Sequence, residues 1–81
     1  MIVLAIDPGP KESAWLLYDG QRPTEFGKFP NEVLAGTVQS AAIQHIAIEM
    51  VESYGMPVGR EVFETVLWVG RFIQAAYSHP H

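Results

Sequence analysis

The stretch Ile46-Ala47-Ile48-Glu49-Met50-Val51, the start of IAIEMVESYG (residues 46–55), sets an acid inside an apolar run. Without Glu49 it reads as a buried strand, short and stopped by the breakers Gly55 and Pro57. Taking a polar group out of water without a partner costs on the order of 2–7 kcal/mol on transfer scales, and a charged carboxylate costs more. Glu49 therefore needs a cation, a hydrogen-bond network, a metal, or solvent at the end of its strand. Its neighbours in the fold decide which.

Upstream, Ile2 to Ile6 is a second apolar run, stopped by Asp7-Pro8-Gly9-Pro10. It reads as a strand buried on both faces. Ser13 to Asp19 is another strand, and Asp19-Gly20 is a hairpin turn signal. Thr24 to Phe29 alternates as an edge strand, weakened by Gly27. Pro30-Asn31-Glu32 opens a helix, with Asn31 as N-cap and Glu32 at the positive helix end. Leu34, Val38 and Ala41 form its buried stripe.

Gln44 to Val51 is then the fourth strand, and Tyr54 to Gly59 is a loop rich in breakers. A second helix runs from Arg60 to about Tyr77. Its buried stripe is expected at Val62, Val66, Val69, Ile73 and Ala76, widened by Phe63 and Tyr77. Trp68 and Phe72 lie roughly opposite and predict a second apolar patch, an interface with a partner chain or with a missing segment. Residues 1–77 make one domain and residues 78–81 a tail.

The order is β-β-β-α-β-α. A right-handed crossover returns the fourth strand beside the first, parallel to it. The expected fold is α/β, with a mixed sheet of strand order 3-2-1-4. Neighbouring strands lie about 4.8 Å apart, so Asp7 and Glu49 converge at one sheet edge. Two converging carboxylates repel unless a cation sits between them or one takes a proton. Mg²⁺ is often held by one or two carboxylates, with waters and substrate phosphate completing its shell. Asp7 and Glu49 are thus the candidate catalytic and metal-ligating pair, for Mg²⁺ or Mn²⁺. Glu52 is a further candidate ligand. The structural alternative makes Asp7 a turn residue before Pro8-Gly9 and Glu49 a half-exposed acid.

Val3 to Gly9, followed by Ser13-Ala14-Trp15, resembles the opening of RuvC-type Holliday-junction resolvases, members of the ribonuclease H-like superfamily. Ile46-Ala47-Ile48-Glu49 resembles that family's fourth strand with its second catalytic acid. Residues 49–65, EMVESYGMPVGREVFET, resemble small RuvC-like proteins of phage and prophage. The resemblance implies a ribonuclease H-like fold, two-metal endonuclease chemistry and a homodimer acting on branched DNA. It carries Asp7 and Glu49 over as metal ligands. The family's remaining acids follow a fifth strand and sit on a final helix, elements expected beyond His81. The resemblance thus implies a partial, C-terminally truncated homologue. The alternative is a noncatalytic oligomerisation module that keeps the fold and uses Trp68 and Phe72. An ATPase subdomain of the actin and sugar-kinase type shares the fold, but Asp7-Pro8-Gly9 lacks its extra glycines.

Composition bounds these readings. Eighty-one residues make one domain at most, and a domain this small gains from a partner subunit. Net charge is −4, with acids exceeding bases in both halves, which opposes a bare DNA-binding surface. Lys11, close to Asp7, is the candidate phosphate contact, and Tyr54 a candidate to stack on an unpaired base. Glu61 and Glu64 read as surface acids, His45 as a residue flanking its strand, and His79 and His81 as tail residues. There is no cysteine, hence no disulfide or thiolate zinc site. The apolar N-terminus has no basic leader and meets an acid at Asp7, so neither a signal peptide nor a membrane span is expected. These features suit a cytoplasmic protein.

Overall fold

Three apolar-rich segments and two turn signals build an antiparallel meander in a computed structural model that describes residues 2–40, 43, 45–50 and 59–77. Strands β1 (Val3–Asp7), β2 (Glu12–Tyr18) and β3 (Pro23–Pro30) precede helix α1 (Asn31–Ser40), then β4 (His45–Ile48) and α2 (Arg60–Tyr77). The sheet order is β3-β2-β1-β4, antiparallel at β1–β2 and β2–β3 and parallel at β1–β4. The fold is α/β with a mixed four-stranded sheet and two helices.

The β2–β3 turn follows from Asp19 and Gly20. The Asp19 carboxylate oxygen Oδ1 accepts the backbone N–H groups of Gln21 at 2.8 Å and Arg22 at 2.9 Å. Gly20 has φ 103°, a conformation that costs glycine little. In β3, Gly27 makes room for a neighbour: a Cβ there would meet the Trp15 ring at 3.1 Å. Trp15 pairs with Gly27 across β2–β3 and packs against Phe29, with ring centroids 5.1 Å apart.

Strand alternation sorts the sheet into two faces. Leu4 and Ile6 of β1, Trp15 and Leu17 of β2, and Ile46 and Ile48 of β4 face the helices. They meet Leu34 and Val38 of α1 and Phe72 and Ala75 of α2 in one core. The strand registers put Val3, Ala5, Leu16, Tyr18, Phe26 and Ala47 on the other face. Nothing among the described residues covers that face, and Phe26 is 80% exposed. The expectation that β1 is buried on both faces is thus corrected. The shortest molecular dimension, 18 Å, is that of one sheet and one helical layer.

Helix α2 has the expected limits but a different orientation. Its buried residues are Thr65, Val69, Phe72 and Ala75. Phe72 is fully buried, and Trp68 packs against the same core, 5.9 Å from Phe72 between ring centroids. Trp68 and Phe72 therefore do not form a second, outward patch. Val66, Ile73, Phe63 and Tyr77, expected inside, are exposed; of the predicted stripe Val69 is buried, and Val62 and Ala76 are partly buried. Arg60, Glu64 and Arg71 share one side of the helix, so its pattern favours the opposite Val62, Val69 and Ile73 side, and packing rotates the inner face from there toward Phe72. The core accepts the aromatic pair, and the single polar member, Thr65, donates its hydroxyl to the Glu61 carbonyl at 2.8 Å.

Candidate metal centre

The parallel register of β1 and β4 places Val3 beside His45, Ala5 beside Ala47 and Ile6 beside Ile48. The ladder continues one step further, because the Glu49 N–H donates to the Ile6 carbonyl at 3.0 Å. Continuing the register brings Glu49 level with Asp7. Both lie at the C-terminal ends of adjacent strands, on the face away from the helices. Asp7 and Glu49 are exposed, so Glu49 interrupts its apolar run at a solvated strand end. The geometry answers the question that Glu49 poses: its carboxylate is not in the core.

The two acids border a depression of about 590 Å³ whose floor includes Ala5, Leu16, Phe26 and Ala47. A second depression, of about 460 Å³, lies on the other side of Asp7 and is bordered by Lys11, Lys28 and Glu61. Asp7 pairs with Ala14, and Ala14 with Lys28. Across the strands the row is Glu49, Asp7, Ala14, Lys28. With about 4.8 Å per strand, the Lys28 backbone is about 10 Å from that of Asp7. The small Ala14 side chain leaves the space between them open. The Lys28 ammonium is 3.9 Å from the Glu12 carboxylate, an exposed contact that leaves it hydrated.

In the sequence Lys28, with Lys11, Arg60 and Arg71, reads as one of a few scattered bases, too sparse for a phosphate track. Its spacing from Asp7 becomes visible only through two strand registers. Glu61, read as a surface acid, is exposed at the start of α2 and borders the Asp7 depression. Lys11 borders it too. Glu52, Tyr54, His79 and His81 lie outside the described residues; His45 is exposed at the start of β4.

The loop after Asp7 is held from beneath by buried polar groups. Ser13 is 1% exposed and Asn31 is fully buried. The Gly9 N–H donates to Ser13 Oγ at 3.1 Å, and Ser13 Oγ donates to Asn31 Oδ1 at 2.5 Å. Asn31 Nδ2 donates to the Gly9 carbonyl at 2.9 Å, and its backbone N–H to the Lys11 carbonyl at 2.9 Å. Asn31 opens α1 as expected, but its side chain reaches into the loop. A Cβ at Gly9 would collide with the Glu12 carbonyl oxygen, so the turn requires glycine there.

The donor set fits a hard, oxygen-loving cation that keeps several waters. Among the described residues, no group of three or more acids, histidines or cysteines is placed to hold a metal. Two carboxylates suit one Mg²⁺ or Mn²⁺ better than a closely held pair. No helix among the described residues is long and apolar enough to cross a membrane. No protein-family model, curated protein or solved structure matches the chain.

Proposed function

We propose that the chain is a RuvC-like, ribonuclease H-like domain that binds Mg²⁺ or Mn²⁺ through Asp7 and Glu49 and engages the phosphates of branched DNA. The observation that carries this reading is the matched position of the two acids on adjacent parallel strands, on one solvated face. A bound cation offsets their mutual repulsion and part of the −4 net charge. Lys28, beyond Ala14, and Lys11, in the loop, supply positive charge beside the pair. Two carboxylates hold a two-metal centre poorly, so cation and DNA binding with little or no strand cleavage is expected of this chain.

The test is thermal unfolding with Mg²⁺ or Mn²⁺. At about fivefold excess over Kd, a cation bound only by the folded state adds about 1 kcal/mol. For a domain of this size that raises Tm by about 4–8 °C. Asp7→Asn and Glu49→Gln should each remove the rise. An unchanged rise in both variants would place the cation elsewhere and end this reading. Mg²⁺-dependent cleavage of a four-way junction, lost in Glu49→Gln, would instead show that two acids suffice.

The second reading, a noncatalytic oligomerisation module, is favoured by the outer face of α2, although not by Trp68 and Phe72.

A further inference from the structure

The row of residues that holds Asp7 and Glu49 has an apolar neighbour on the open sheet face. One step back along each strand, the registers align Ala47, Ala5, Leu16 and Phe26. Side chains in this second row grow across the sheet. Two alanines make a low floor beside the acids, and Leu16 and Phe26 make a wall on the far side. Together they line the depression of about 590 Å³, a size within the roughly 300–1,000 Å³ of small-ligand sites.

The wall also carries charge. Phe26 and Lys28 are two residues apart on β3, so they share a face about 7 Å apart along the strand. Behind them the Trp15 ring packs against Gly27, which backs this part of β3. The Phe26 ring makes no ring contact among the described residues and stands in solvent. The Lys28 contact with Glu12 is exposed and long, so an anion competes with it.

This mixture of groups discriminates between occupants. A covering helix would bury the Asp7 and Glu49 carboxylates along with the small apolar floor, and desolvating charge is costly. A ligand with a flat apolar face and an anionic end avoids that cost. Its anion meets Lys28 on one side and a carboxylate-bound cation on the other. A nucleotide has both parts at about this spacing.

We propose that the open sheet face holds one unpaired nucleotide of a DNA strand, its base stacked on Phe26 beside Leu16 and its phosphate between Lys28 and a cation at Asp7 and Glu49. The phosphate end rests on the metal-binding reading of those acids; the base end rests on Phe26. Phe26 is then a specificity residue. A base within a duplex is stacked on both faces and reaches such a ring only when extruded. The face therefore favours unpaired over paired nucleotides, with little preference among bases, because every base has a π-face.

The test uses the whole chain in Mg²⁺ with a fluorescent oligothymidine and a blunt duplex of equal length, read by anisotropy. Phe26→Ala should weaken oligothymidine binding about 5- to 150-fold, the equivalent of one stacked base. It should leave duplex affinity and the Mg²⁺-dependent rise in Tm nearly unchanged, and Phe26→Trp should restore binding. An oligothymidine carrying one 5-iodouracil should cross-link to Phe26 under ultraviolet light, as mapped by mass spectrometry. Oligothymidine affinity indifferent to Phe26→Ala, with the Mg²⁺ response intact, would overturn this inference and leave the metal site standing. Attachment of the iodouracil to Tyr54 would also overturn it. Thymidine monophosphate binding as tightly as the oligomer would overturn the assignment to a strand. Absence of the Mg²⁺ response would instead overturn the metal reading, and the phosphate end with it.

Discussion

At the scale of single residues, Asn31 links the fold to the site. It is fully buried, yet its side chain spans Ser13 and the Gly9 carbonyl under the loop that follows Asp7. Asn31→Ala would strip a partner from both. A buried group left unsatisfied costs about 1–3 kcal/mol, so urea denaturation should show a loss of about 2–3 kcal/mol. The cation-dependent rise in Tm should shrink as well, because the loop positions Asp7. Asp19 makes a different prediction. Backbone N–H groups of Arg22, then Gln21, favour its charged form and lower its pKa below the ordinary 3.8. A depressed carboxylate stabilises the fold above its unfolded-state pKa, and that contribution is lost as pH falls through the folded-state value. Asp19→Asn should therefore remove part of the stability loss below about pH 4, read by denaturation at a series of pH values.

The elements differ in how firmly local pattern specifies them. Asp19-Gly20 sets the hairpin because its side-chain acceptor and positive φ act within four residues. In α1, Leu34 and Val38 are both buried as their spacing predicts; Ala41, the third member of that stripe, lies outside the described residues. For α2, spacing gave the right limits and an inner face rotated from the observed one, with Val69 common to both. Packing against α1 and the sheet selects Phe72 and Trp68 for the core. The two orientations make opposite predictions. With Phe72 inside, Phe72→Ala should cost about 3–5 kcal/mol, as large-to-small core changes do. Phe63→Ala, measured at concentrations low enough for the monomer, should stay within about 0.5 kcal/mol. The reverse ranking would restore the face expected from the sequence.

For the whole molecule, the two-layer build leaves one sheet face bare. Leu16 and Phe26 sit opposite each other there, and Phe26 is 80% exposed. An apolar depression of about 590 Å³ beside two carboxylates is a surface that an apolar dye should find. Phe26→Ser should lower the fluorescence of such a dye in the presence of the protein. It should move the folding free energy by no more than about 0.5 kcal/mol, because little of Phe26 is buried. A loss of several kcal/mol would show that this face is covered in solution.

What the sequence determined is the order β-β-β-α-β-α, the hairpin turn, the strand order 3-2-1-4 and the pairing of Asp7 with Glu49. These follow from short-range turn chemistry and from the handedness of one crossover, so they need no knowledge of packing. Tertiary structure alone decided three things. It rotated α2, because packing against α1 and the sheet accepts Trp68 and Phe72 in the core in place of part of the stripe that spacing favours. It brought Lys28 and Glu61 to the borders of the Asp7 site, because strand register and helix placement join residues with no local relation in sequence. It turned Asn31 from a helix cap into the clamp of the Asp7 loop, because Ser13 and Gly9 reach it only once β2 and α1 are packed together.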